Sequence, residues 1–451
     1  MVTSLPSSYT GTQYVGFNAL AVDGSAVWTV NGTNNSGLGW TLNGGTLSIT
    51  SASTLGSQAV AFNGGPLQTT AGLTINNGMV FRLGGGTITA SDPLTVEGPV
   101  SGFGPVTISG TLTLASTGTQ LTSGAVLLSN SSLALGGGSI TGSNGAYSSG
   151  TACSGGAGVV STGGATITNA GSISGGLAAG STTNYAAAVL FAGGANTLIL
   201  ESGYSFTGNV VSTSGTTNGG DTLELGGGSN ATFNASALAS AAPTSYSGTP
   251  QYYGFNHFEV GGTATWTITG NVATSGTGQN VNNLAINSGA TAIFTGTFSG
   301  AANVAGTGTA EFDGTLSPGD PFTEQFAGAV VLQSGNNLIM QIGGTTAGSG
   351  YDQIIANGGI SLGGTLTVQL INGFTPTAGE SFQLIDPSSI SGAFSTLDLA
   401  ALSSGLQWNT SLLDTSGVIS VAATPEPAAL ALLAVGGGPM LCRRRHRSQH
   451  T

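Results

Sequence analysis

From Trp40 to about Val211 the chain repeats one pattern: a Gly pair or Gly-polar turn, then three to seven residues in which polar and apolar positions alternate. Gly44-Gly45-Thr46-Leu47-Ser48-Ile49-Thr50, Gly85-Gly86-Thr87-Ile88-Thr89, Gly110-Thr111-Leu112-Thr113-Leu114, Gly137-Gly138-Ser139-Ile140-Thr141 and Gly164-Ala165-Thr166-Ile167-Thr168 are instances. A period of two is that of a half-buried strand, and glycine permits the backbone angles of tight corners. No run in the body carries the i, i+3, i+4, i+7 apolar spacing of a helix, which excludes a doubly wound α/β fold. Short strands this closely spaced suit a sandwich, a barrel or a solenoid. Repetition over hundreds of residues selects the solenoid, in which each coil buries its apolar edge against its neighbours. The pattern therefore predicts an all-β chain folded as a parallel, right-handed β-helix. At about 20 residues per coil and about 4.8 Å per rung, it would form a rod on the order of 100 Å long.

A longer repeat overlies the short one. Tyr14, Gly16, Phe17, Asn18, Val22, Gly24, Ala26 and Trp28 recur as Tyr252, Gly254, Phe255, Asn256, Val260, Gly262, Ala264 and Trp266, at a constant offset within 9–32 and 246–270. The aromatics are expected to fill the interior or stack between coils, since each buries a large area; sugar stacking by Trp28 or Trp266 is the functional alternative. From Leu316 to Val421 the strands lengthen, as in Gly364-Thr365-Leu366-Thr367-Val368-Gln369-Leu370, and Pro-Gly and Gly-Phe turns cluster. The chain divides on this reading into solenoid repeats (1–314), a β module capping the last coil (315–423) and a C-terminal tail (424–451) with a short hydrophobic helix.

Composition removes several classes of function. The 451 residues include 79 Gly but only 5% charged residues, while 39% are hydrophobic, so there is material for a core and the polar positions fall to Thr, Ser and Asn. Lysine is absent, and four of the five basic residues are Arg443, Arg444, Arg445 and Arg447. Without its tail the body would set Arg82 against sixteen acids. Such a surface repels phosphate backbones, so nucleic acid is not expected as a partner. Two cysteines, Cys153 and Cys442, are too few for a disulfide framework, and Cys153 reads as a small buried residue. The first residues, MVTSLPSSYTGTQYVGF, carry neither a charged nor an apolar export segment, so a signal peptide is expected upstream of this reading frame.

The tail reads Thr424-Pro425-Glu426-Pro427, an uncharged stretch from Ala428 to Leu441, then Cys442-Arg443-Arg444-Arg445-His446-Arg447. About 14 apolar residues of helix reach about 21 Å, short of the roughly 30 Å hydrocarbon core, and the Arg cluster would stay on the cytoplasmic side. These features suit a transient sorting signal better than a permanent span. The tail resembles those of bacterial PEP-CTERM proteins. That resemblance implies a sorting motif at Pro425, Glu426 and Pro427, a basic stop at Arg443, Arg444, Arg445 and Arg447, and processing by an exosortase, a membrane-embedded cysteine peptidase and transferase. The body, through Ile167-Thr168-Asn169-Ala170-Gly171-Ser172-Ile173-Ser174-Gly175-Gly176, Asn196-Thr197-Leu198-Ile199-Leu200 and Asp221-Thr222-Leu223-Glu224-Leu225, resembles autotransporter-associated β-strand repeats. It implies fold and export class: a secreted, adhesin-like surface protein, associated with exopolysaccharide or other surface glycans.

Catalytic chemistry finds little to work with. A nucleophilic triad needs His beside Ser and a carboxylate, and outside the tail there is only His257, whose equivalent in the first long repeat is Ala19. The alternative is a carbohydrate-active β-helix enzyme, a lyase or glycosidase, which would use Glu311 with Asp313, or Asp221 with Glu224, as paired carboxylates. Gly219-Gly220-Asp221 faintly matches a calcium-binding repeat unit, but only once. The expectation is therefore a protein with no enzymatic activity, no metal and no cofactor.

Overall fold

The computed structural model describes residues 17–115, 125–148, 151–275, 281–300, 303–319 and 321–425. The sorting motif from Glu426 onward, the apolar stretch and the Arg cluster lie outside them.

Within the described residues the chain is an all-β parallel solenoid. Leu20–Val22, Trp40–Leu42, Val60–Phe62, Met79–Phe81 and Val100–Gly102 stack in register as the first sheet, which continues to Val210–Ser212 and Tyr252–Tyr253. Val27–Val30, Thr46–Ile49 and Leu67–Thr69 begin the second sheet, which runs to Leu284–Ile286. Leu73–Ile75 opens a third face that carries Ser139–Thr141, Ser172–Ser174 and Ser205–Thr207. Beyond residue 230 the three faces continue as parallel sheets of seven, six and four strands. A bridge between Ala285 and Ala305 links the second sheet to the four-stranded one, ending at Ile385–Pro387.

The first coils keep the expected length: Leu20 pairs with Trp40, Val60 with Met79 and Met79 with Val100, steps of 20, 19 and 21 residues. Later coils carry insertions. Val126 pairs with Val159 and Val210 with Tyr252, steps of 33 and 42.

Alternation explains the packing. In Thr222–Leu225 and Asn337–Ile342 every second residue is buried and the intervening one faces outward. The inward residues of all coils form one continuous core from Val22 to Val421. Each fully buried aliphatic or aromatic side chain contributes roughly 1.5–3 kcal/mol relative to exposure. Identical positions stack ring on ring: Phe62 lies 4.3 Å from Phe81, and Phe294 lies 5.2 Å from Phe312. At an exposed corner Asn63 donates to Asn43 and Asn43 to Asp23, satisfying polar side chains without charge pairs.

The long sequence repeat yields the same strand-corner-strand unit on different faces. Leu20–Val22 and Val27–Val30 lie in the first and second sheets, whereas their equivalents, Phe258 to Val260 and Thr265–Thr269, lie in the second and third. Trp266 is completely buried and donates its indole N–H to the Gly226 carbonyl, so it has no face for a sugar. Trp28 is half-buried.

Where the sequence changes character, the parallel ladders continue: Thr297–Ser299 pairs with Thr315–Ser317, which pairs with Asn337–Ile342. Apart from a short antiparallel pair at Tyr147–Ser148 and Thr151–Ala152 and isolated bridges, antiparallel pairing is found in Ser381–Gln383, Leu406–Leu412 and Val418–Ala423, which form a three-stranded sheet. Buried Phe382 joins it to the interior through its ring contact with Tyr351 and packs within the sheet against Trp408.

Candidate functional site

The carboxylates singled out in the sequence do not assemble. Glu311 is half-buried on the outer face and accepts a hydrogen bond from Gln333 Nε2 at 2.8 Å, while Asp313 is exposed beyond its strand. Glu224 faces outward beside its register partner Glu259. Burial, then the neighbouring Glu259 charge, raises the Glu224 pKa. His257 places Nε2 3.1 Å from the Gly219 carbonyl, and Arg82 is exposed many coils away.

Asp221 is fully buried, on the opposite side of its strand from Glu224. The Asn196 N–H and Nδ2 both donate to Oδ1 at 2.9 Å, and the Ser212 and Ser214 hydroxyls donate to Oδ2 at 2.6 and 2.9 Å. Asn196 in turn accepts from Ser161 Oγ and the Ala165 N–H. Protein donors thus occupy both Asp221 oxygens, and the network ties three successive coils at one corner.

A second buried acid was not anticipated. Glu324 is 0% exposed, and neither carboxyl oxygen has a hydrogen-bond partner. Burial, then the charge of nearby Asp352, holds its pKa well above the carboxylate range. Asp352 is also buried and accepts from the Phe322 and Gln341 N–H groups. Alternation in Thr323–Phe326 puts Glu324 in phase with Phe326, the signal that would have identified it.

A concavity lies at a break in the third face. Ser205–Thr207 pairs with Ser172–Ser174 below, but Ala231–Asn234, which follows one coil later, pairs only with Thr265–Thr269 above. The two strands are therefore not zipped together, and a groove of roughly 540 Å³ opens between them. Phe206, Phe233 and Tyr252 form its floor, at 6%, 1% and 3% exposure, and Tyr204 stands half-buried at its side. The Tyr204 hydroxyl donates to the Thr232 carbonyl at 3.3 Å and is itself hydrogen-bonded by Tyr252. Burial pushes the Tyr204 pKa up to about 12, tempered by the Tyr252 bond. Exposed Ser202, Ser205, Thr232, Asn234 and Thr249 make the rim. The doubled step from Val210 to Tyr252 accompanies this break. In sequence its trace is the long interval between strands of the first sheet.

Pro425 is the last described residue; Glu426, Pro427, Arg443, Arg444, Arg445 and Arg447 lie outside the described residues. No protein-family model matches this sequence, and no curated protein matches it.

Proposed function

We propose that this protein is an exported, structural, adhesin-like rod displayed at a bacterial cell surface, without catalytic activity of its own. One observation carries the reading: a single hydrophobic core runs through every stacked coil, with its outward positions given mostly to uncharged Thr, Ser and Asn. Such a body is built for extent and persistence. The dispersal of Glu311, Asp313, Asp221 and Glu224 over separate environments supports display over polysaccharide cleavage, which would require convergent acids. The tail supplies the route: Pro425, Glu426 and Pro427 as motif and the Arg cluster as stop, for transient insertion in the inner membrane and processing by an exosortase. Exopolysaccharide is the surrounding medium in this reading.

Surface labelling of intact, exosortase-competent cells tests it. A version carrying a signal peptide should be labelled, and Glu426→Ala or removal of the four arginines should cut surface signal at least severalfold while tail-bearing protein accumulates at the membrane. Equal labelling of wild type and both variants would refute the sorting route.

A further inference from the structure

We infer that the groove between Ser205–Thr207 and Ala231–Asn234 binds a neutral saccharide chain. This deepens the display reading by naming what the rod would hold. Three observations converge. First, the groove offers polar backbone where a solenoid normally has none. In a parallel ladder each residue directs its N–H and C=O to the same neighbour, and successive residues alternate. The Ser205 N–H donates to the Gly171 carbonyl and the Gly175 N–H to the Thr207 carbonyl, so both residues face the lower coil. The Phe206 N–H and C=O consequently face the groove, where no strand pairs with them.

Second, the lining joins an aromatic surface to hydroxyls and an amide. The Tyr204 ring is partly open and backed by Trp266 and Phe206, each 6.1 Å away, so it is held in place. An apolar ring face bordered by Ser205, Thr232, Asn234 and Thr249 complements a pyranose, which has C–H faces and hydroxyl edges. The volume lies in the roughly 300–1,000 Å³ range of small-ligand sites.

Third, charge selects the class. Among the described residues no Asp, Glu, Lys, Arg or His lines the groove, and the protein carries a formal charge of −12, so an acidic polymer would meet repulsion and find no ion partner. An added peptide strand needs a continuous free edge. The Thr232 carbonyl is already engaged by Tyr204, which interrupts the upper one.

The test uses purified full-length protein and isothermal titration with dextran, xyloglucan and galactomannan, alongside pectate and an extended Thr/Val peptide. At least one neutral polymer should bind saturably. Tyr204→Ala should weaken it at least about tenfold, equivalent to about 1.4 kcal/mol, while Tyr204→Phe, which keeps the ring, should stay within about threefold. Ser205→Trp fills the groove from an exposed position without entering the core and should also abolish binding, with an unchanged circular-dichroism melt. Binding unaltered by Tyr204→Ala and Ser205→Trp, no binding to any neutral polymer, or binding to pectate or peptide alone would overturn the assignment. Because the assay needs no export, failed surface sorting would leave it standing, and failed binding would leave display standing.

Discussion

Glu324 shows how one residue can work against its surroundings. It occupies an inward position of an otherwise regular strand, with no donor to its oxygens and Asp352 beside it. Its folded pKa lies above that of the unfolded chain, so the native state holds the proton more tightly. The stability linked to it is therefore complete below the ordinary carboxylate range near about 4.3 and is lost as pH rises toward the raised folded value. Glu324→Gln keeps the shape and removes the ionisation. It should stabilise the protein at pH 8 by about 1.4 kcal/mol or more, the free energy linked to one pH unit of proton affinity, with the gain shrinking toward pH 4. Thermal melts of both proteins across that range decide it; a variant less stable than wild type at pH 8 would refute the account. Asp221 is the opposite case, an equally buried acid with four donors. Sequence distinguishes neither, because Asn196, Ser212 and Ser214 reach Asp221 only through the stacking of coils.

At the scale of the element, alternation made the strands legible, because inward side chains are apolar in nearly every coil, Glu324 being an exception. Coil length beyond Val126 was less legible: insertions leave at corners without disturbing the strand period. The groove belongs to that illegible part, since it arises from two strands failing to pair. The corner glycines are constrained by the coil beneath. A Cβ on Gly193 would collide with the Thr162 carbonyl, whereas one on Gly228 would meet only Thr263 Oγ1, at 3.7 Å. Gly193→Ala should therefore cost about 1–3 kcal/mol, the usual penalty of overpacking, and Gly228→Ala no more than about 0.5 kcal/mol. Urea titrations read the difference. Equal costs at the two sites would mean that the corners yield, and that glycine there is a matter of composition.

For the whole molecule, the question is whether the stack has an internal boundary. Sequence placed one at residue 315, where strands lengthen and turns change. Across that point Thr309–Phe312 pairs with both Thr291–Phe294 and Ala329–Leu332, and Phe298 and Phe312 both touch Phe326. The second sheet and its four-stranded continuation line up fifteen coils, or about 70 Å at about 4.8 Å per step, shorter than 20-residue coils would give. In such a stack each coil is stabilised by its neighbours, and an end needs covering. A fragment of residues 17–314 would leave Phe312 and the edge of Thr309–Phe312 without the coil above. Open strand edges and bared rings recruit other chains. That fragment should accordingly precipitate or run as large oligomers in light scattering, while a chain of residues 17–425, closed by the antiparallel strands through Val418–Ala423, should not. If 17–314 and 315–425 each proved soluble, with sharp separate melts, residue 315 would be a true domain boundary, and the core's continuity would be the meeting of two independent units.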